Sequence, residues 1–117
     1  MFIGYASEDK NTLKTLKTHL RPLERAGLIK VWDDQDVAPG EEKGKEIERH
    51  LFEARIILLL LSPAFLSSHD CYDIQMSMAL ERYEQAEARV ASILLRPCAA
   101  HSVHNPLHGF IAEIFTP

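Results

Sequence analysis

The hydrophobic positions of this chain follow two spacings that alternate along it. Phe2, Ile3, Gly4 and Tyr5 form a short apolar stretch with polar residues after it, and predict a buried strand over residues 2–5. Leu13, Leu16, Leu20 and Leu23 then recur at intervals of three and four, one face of an amphipathic helix. Ser7 stands where it would cap that helix, Glu8 and Asp9 fall in its first turn, and Gly27 follows as a C-cap. Residues 28–32 predict a second strand, and the acidic stretch 33–40, closed by Pro39 and Gly40, predicts a loop. Helical spacing returns over 41–54, with Ile47, Leu51 and Ala54 on one face.

Residues 55–62 do not alternate. A continuous branched apolar run of this length fits a central parallel strand covered on both faces. Ser62 and Pro63 break it, 65–68 reads as a loop or short turn, and 71–86 predicts a helix with Ile74, Met78 and Tyr83 inward. Residues 89–96 predict a further strand, stopped by Pro97. In the last segment, Asn105 and Pro106 mark a turn and 110–115 suits either a short strand or a short helix. Strands alternating with helices through short connections predict an α/β fold with a parallel sheet and right-handed crossovers. Ligands in such sheets sit at the carboxyl ends of the strands, near a switch point in strand order.

Composition narrows the function classes. The chain has 117 residues, enough for one domain, and 46% are hydrophobic, enough for a core. A net charge of -4 argues against nucleic acid or an anionic membrane as partner. Two cysteines, Cys71 and Cys98, are too few for a disulfide framework. The start does not resemble a signal peptide, and the apolar run at 56–61 is far shorter than a membrane span. These features lead us to expect a cytoplasmic protein.

Candidate chemistry is sparse. Neither a G-x-G-x-x-G loop, a P-loop nor a G-x-S-x-G elbow occurs. Cys98, His101, His104 and His108 mimic metal-ligand spacing, but one cysteine in a Pro- and Ala-containing stretch reads better as a solvated loop, and we expect no metal. Asp33, Asp34 and Asp36 read in the same way as a loop with local caps. Trp32 precedes them at the predicted carboxyl end of a strand, where ligands dock. The third constellation runs from Ser62 through Phe65, Ser68 and Cys71 to Gln75, and Cys71 and Gln75 are four apart on one helix face. A carboxylate at position 75 could hydrogen-bond a ribose hydroxyl and stabilise an oxocarbenium-like centre. Gln75 can do the first and, being neutral, not the second. From the residues alone it reads as a solvent-facing glutamine.

Those residues carry a family resemblance. The opening from Phe2 to Asp9 resembles the first strand and loop of bacterial Toll/interleukin-1 receptor (TIR) domains. Leu23 to Asp34 resembles their second strand, and Asp36 to Glu42 the loop after it, called the BB loop. Ile56 to Ile74 resembles the central strand and the motif that follows, and Arg89 to Cys98 the fourth strand. The likeness is strongest over 1–98, within one domain spanning 1–117. It implies a flavodoxin-like, three-layer α/β fold whose central parallel sheet has four to five strands, with the C-terminal part abbreviated. It also implies self-association through the BB loop, residues 33–40.

Many members of the family cleave NAD+ at the nicotinamide–ribose bond with a glutamate in the helix after the central strand. Gln75 occupies that position. By position, Tyr5, Ala6 and Ser7 would line the phosphate and ribose side, Trp32, Asp34 and the BB loop would flank nicotinamide, and Cys71 belongs to the same site. NAD+ would be substrate or bound ligand, with no further cofactor required. Losing the glutamate charge would lower activity by orders of magnitude, because such electrostatic contributions are worth several kcal/mol. Gly4 stands where serine is common and Lys43 where tryptophan is common. Two functions therefore stay open, an NAD+-cleaving module silenced at Gln75 and a non-catalytic TIR–TIR scaffold. A receiver domain is disfavoured, because the central strand ends in Ser62 and Pro63 and not in an exposed aspartate.

Overall fold

A computed structural model describes residues 1–95. Strand β1 (Phe2–Gly4) is followed by a short 3₁₀ turn (Ser7–Asp9), helix α1 (Lys10–Arg25) and a second 3₁₀ turn (Asp34–Asp36). Helix α2 (Lys43–Glu53), strand β2 (Ile56–Leu61), helix α3 (Pro63–Ser67), a π-helical segment (His69–Met76), helix α4 (Ser77–Glu84) and strand β3 (Arg89–Leu94) complete it. All strand pairs are parallel, in the order β1-β2-β3, with Ile3 opposite Leu58 and Leu58 opposite Ala91. The α/β, flavodoxin-like reading of the sequence holds. Among the described residues no helix is long and apolar enough to cross a membrane.

β2 explains its own composition. Ile57, Leu59 and Leu61 pack into a cluster with Phe2, Phe65, Met76 and Ala79, under α2, α3 and α4. Leu58 and Leu60 point to the other face, with Ile3, Tyr5 and Leu13, under α1. Alternate side chains leave a strand on opposite sides, so a strand with helices on both faces needs an uninterrupted apolar run.

The predicted second strand shrinks to a single bridge, Trp32 opposite Phe2. The segment before it runs beyond the start of β1, where the Met1 ammonium donates to the Lys30 carbonyl. The Val31 N–H is taken by the Glu24 carboxylate. Only Trp32 reaches β1, donating to the Met1 carbonyl and accepting from the Ile3 N–H. The described sheet thus has three strands and one bridge. The histidine-rich stretch and the segment 98–117 lie outside the described residues.

Two helix ends differ from expectation. Ser7 does not cap α1: its hydroxyl donates to Glu8, and Asp9 takes the N-cap position without a side-chain cap bond. The other end fits the sequence, since Gly27 at φ +75° donates to Glu24 and Leu28 donates to Leu23, a Schellman closure. Leu23, predicted inward, is exposed at that closing turn.

The helix predicted over 71–86 is broken in phase. An eight-residue π-helical stretch precedes α4. Its wider i→i+5 turn carries Cys71, Gln75 and Met76 inward and leaves Ile74 only half-buried. Gln75 is therefore buried, not solvent-facing.

Arg82 locks this arrangement. Its guanidinium donates to the Leu51 carbonyl at 2.7 Å, to the Ala54 carbonyl and to the Glu87 carbonyl, tying α4 to the end of α2. It satisfies carbonyls that the end of α2 leaves without helical partners. Charge-assisted hydrogen bonds of this kind contribute about 1.5–3 kcal/mol each at most. Arg82→Ala should lower stability by about 2 kcal/mol, read as a lower urea midpoint with an unchanged slope.

Candidate functional site

β1 lies between Trp32 on one side and β2 on the other. The chain thus leaves β1 in one direction and β2 is reached in the other, so the strand order reverses there. Crevices open at such points beyond the carboxyl ends of the strands. Here those ends are Gly4 to Ala6 and Leu61 to Ser62.

Buried polar contacts hold the two ends together. The Ser62 hydroxyl donates to the Asp9 carboxylate at 2.5 Å and accepts from the Phe65 N–H at 3.1 Å, so it caps α3 as it anchors the loop after β1. Both Ser62 and Asp9 are buried. The Cys71 thiol donates to the Tyr5 carbonyl at 3.5 Å. Burial pushes this thiol above its ordinary pKa, aided by the carboxylates of Asp70, Asp34 and Glu8. Cys71 accordingly stays a thiol that holds the end of β1, and lacks the thiolate character of a nucleophile.

The loop after Trp32 reaches back over this end. Tyr5 donates its phenol to Asp34 Oδ1 at 2.5 Å, and Asp34 Oδ2 pairs with Lys43 at 3.0 Å. Burial first, and the Asp34 hydrogen bond second, hold the Tyr5 pKa far above its ordinary range. Tyr5 is therefore a neutral donor committed to the loop. Asp33 is fully buried, accepts from Lys17 at 2.7 Å and from the Gln35 N–H at 2.8 Å, and its own N–H donates to Asp36 at 3.1 Å. Asp33 and Asp36 thus supply local caps as the loop reading predicts, but the loop is not simply solvated: Asp33 is buried on Lys17, and Asp34 bonds Tyr5 and Lys43 instead of capping.

Among the described residues two buried side-chain oxygens have no hydrogen-bond partner, Ser92 Oγ in β3 and Gln75 Oε1, and Gln75 is the one at the strand ends. Its side chain lies against β1 at 7% exposure, and its Oε1 is buried without a hydrogen-bond partner. An orphaned acceptor costs about 1–3 kcal/mol, so native structures rarely keep one without a reason. Two hollows meet at this side chain. The inner crevice, bordered by Gly4, Tyr5, Asp34, Ile47 and Gln75, encloses about 10 Å³. The outer cleft, between α2 and the π-helical segment, encloses about 290 Å³ and is lined by Lys43, Gly44, Ile47, Glu48, Asp70 and Gln75 among others. The crevice has room for a single water at most. The outer cleft approaches the lower end of small-molecule pockets.

The residues singled out from the sequence separate into groups. Tyr5, Asp34 and Gln75 share the inner crevice. Trp32 does not join them. It is stacked between Phe2 at 5.7 Å and His50 at 4.0 Å, and borders a different hollow of about 250 Å³ with Lys30 and Glu53. Its register opposite Phe2 puts it beside the start of β1, away from the strand's carboxyl end. Ala6 is buried in the core, and Ser7 is exposed with its hydroxyl on Glu8. Gly4, Asp9 and Ile47 were not singled out as site residues. Ile47 was legible only as an inward helix position, and nothing in sequence links Asp9 to Ser62, 53 residues away.

Comparison with known proteins adds to this geometry. The family described as TIR domain matches residues 1–114. An uncharacterized protein of Sinorhizobium fredii, y4lF, is 39% identical over 106 residues, which is 91% of this chain and 32% of that protein. The chain thus spans about a third of the length of that curated relative. The crystal structure of the TIR domain of the Toll-related receptor TRR-2 from Hydra magnipapillata superposes with a TM-score of 0.67 at 26% identity, covering 89% of this chain and 79% of that one.

The Lys17–Asp33 pair anchors the loop that borders the crevice and carries a pH signature. The hydrogen bond to Asp33 raises the Lys17 pKa above its ordinary value of 10.5, against a smaller opposing effect of burial. A group whose pKa is raised by folding contributes stability that is complete below its unfolded pKa and lost above the folded one. Lys17→Met leaves a buried aspartate without its cation and should destabilise by about 2 kcal/mol at neutral pH. In parallel urea titrations the gap between the two proteins should stay constant up to about pH 10 and shrink above it.

Proposed function

This chain belongs to the TIR domain family, and on that premise we propose that it is a signalling module whose cleft keeps the ligand side of an NAD+-cleaving TIR domain while Gln75 withholds the charge that bond cleavage needs. The observation that carries the reading is Gln75 itself. It is buried where the two hollows meet and its Oε1 has no partner, and by the family resemblance it falls at the position of the glutamate of NAD+-cleaving members. An unpartnered acceptor on a side chain that also borders the outer cleft can turn outward, without giving up a hydrogen bond, to a ligand that brings a donor such as a ribose hydroxyl or a carboxamide.

Cleaving the nicotinamide–ribose bond releases neutral nicotinamide and leaves positive charge at the ribose carbon, to which water or another nucleophile adds. A carboxylate beside that carbon stabilises the charge as it develops; a carboxamide leaves it without a counter-charge. One misplaced or missing electrostatic group typically costs 10²–10³ in rate, roughly 3–4 kcal/mol of barrier. The outer cleft of about 290 Å³ suits the nicotinamide and ribose part of the ligand, with the remainder in solvent or against a second copy. TIR domains self-associate, and the loop 33–40, pinned at Asp33 and Asp34 by Lys17 and Lys43, is the surface we assign to that contact.

The same burial of a neutral side chain supports a second reading, a scaffold that makes TIR–TIR contacts and binds no nucleotide. The two separate by experiment. Gln75→Glu should consume NAD+ at least about tenfold faster than the unaltered chain, both assayed at high protein concentration under assembling conditions. If neither protein consumes NAD+, the enzymatic reading is lost. Calorimetry with NAD+ on the unaltered chain should give measurable binding heat, whereas a scaffold would give none.

A further inference from the structure

Gly4 sits in β1 directly against Gln75. Its φ lies outside the left-handed region, so the backbone makes no demand for glycine there. The demand is steric. A Cβ at position 4 would lie 2.9 Å from Gln75 Oε1 and 2.9 Å from Leu59 Cδ2, closer than real Cβ contacts come. Both must give way if residue 4 gains a side chain: the end of the Leu59 side chain by a few tenths of an ångström within the core, and Gln75 by leaving β1. Leu59 is fully buried in the core on the α2 face, where close packing leaves little free volume. Gln75 has an open alternative, because the same side chain borders the outer cleft. Its Oε1 also gives up no hydrogen bond by leaving.

We propose that Gly4 is a positioning residue: by lacking a side chain it lets residue 75 fold back against β1, and any Cβ at position 4 drives that side chain into the outer cleft. Two features then silence this site. Gln75 removes the charge, and Gly4 removes the side chain from the space where a ligand would meet it. A glutamate placed at position 75 alone would inherit the retracted pose, where Oε1 finds no donor. An ionised carboxylate is disfavoured in such a place, so the charge would be present only in the fraction of molecules that swing outward.

The catalytic consequence rests on the NAD+ reading above; the conformational one does not. The experiment therefore has two readouts on the folded chain. The first labels glutamine side chains with ¹⁵N and assigns Gln75 by the resonance that Gln75→Glu removes. In the unaltered chain the Gln75 side-chain amide should be shielded from a soluble paramagnetic agent, and in Gly4→Ala it should broaden at least severalfold faster. Unchanged shielding in folded Gly4→Ala overturns the proposal. The second compares NAD+ turnover of Gln75→Glu with that of Gly4→Ala/Gln75→Glu, where the double variant should show kcat at least about tenfold higher. Equal kcat, with both proteins active, overturns the catalytic consequence. Exposure of the amide in Gly4→Ala with no turnover in any variant supports the positioning role and sinks the NAD+ reading alone. Should Gly4→Ala not fold, Gly4→Ala/Gln75→Ala should restore folding by making room; a double variant equally unfolded makes Leu59 the obstacle and overturns the proposal.

Discussion

Strand β2 must be covered on both faces, and most of the architecture answers that demand. Five consecutive residues, Ile57 to Leu61, are buried, and alternate ones face opposite helical layers. At about 25 cal/mol per Å² of apolar surface, exposing either face would forfeit more than any polar contact in the molecule supplies. The parallel neighbours β1 and β3 follow, because only strands reached by crossover helices bring those helices over the sheet. Arg82 then fixes α4 on the end of α2, where both cover the same face of β2.

Covering β2 also determines where polar chemistry can occur. The faces of the sheet are closed, so functional groups collect where the strands end. Ser62 ends β2 and bonds Asp9; Tyr5 follows β1 and bonds Asp34. These contacts are already satisfied within the protein, and they define walls more than reactive groups. Gln75 differs because its buried oxygen has no partner. The π-helical turn that delivers it inward breaks regular helix spacing at this place, a pattern that recurs at functional sites.

Part of this was readable in the residues themselves. The apolar run of β2, the three- and four-residue spacing of α1, Gly27 as a C-cap and the caps made by Asp33 and Asp36 all depend on neighbours in sequence, so local pattern suffices. The ordered likeness from Phe2 to Cys98 pointed to the TIR family. The second strand was overread because its apolar residues match strand composition. Nothing local reveals that the Val31 N–H is taken by Glu24 and that only Trp32 lies alongside β1.

The sequence by itself determined the layered α/β architecture, the neutral side chain at position 75 and the absence of one at position 4. Hydrophobic spacing and residue identity carry that information directly. Only the tertiary structure decided that these two positions touch, that Trp32 stacks apart from them, and that Gln75 points inward. Those outcomes depend on packing between residues far apart in the chain and on a helical turn widened by one residue. A periodicity of 3.6 cannot foresee either, because it assumes a regular turn and registers no contact across the sheet.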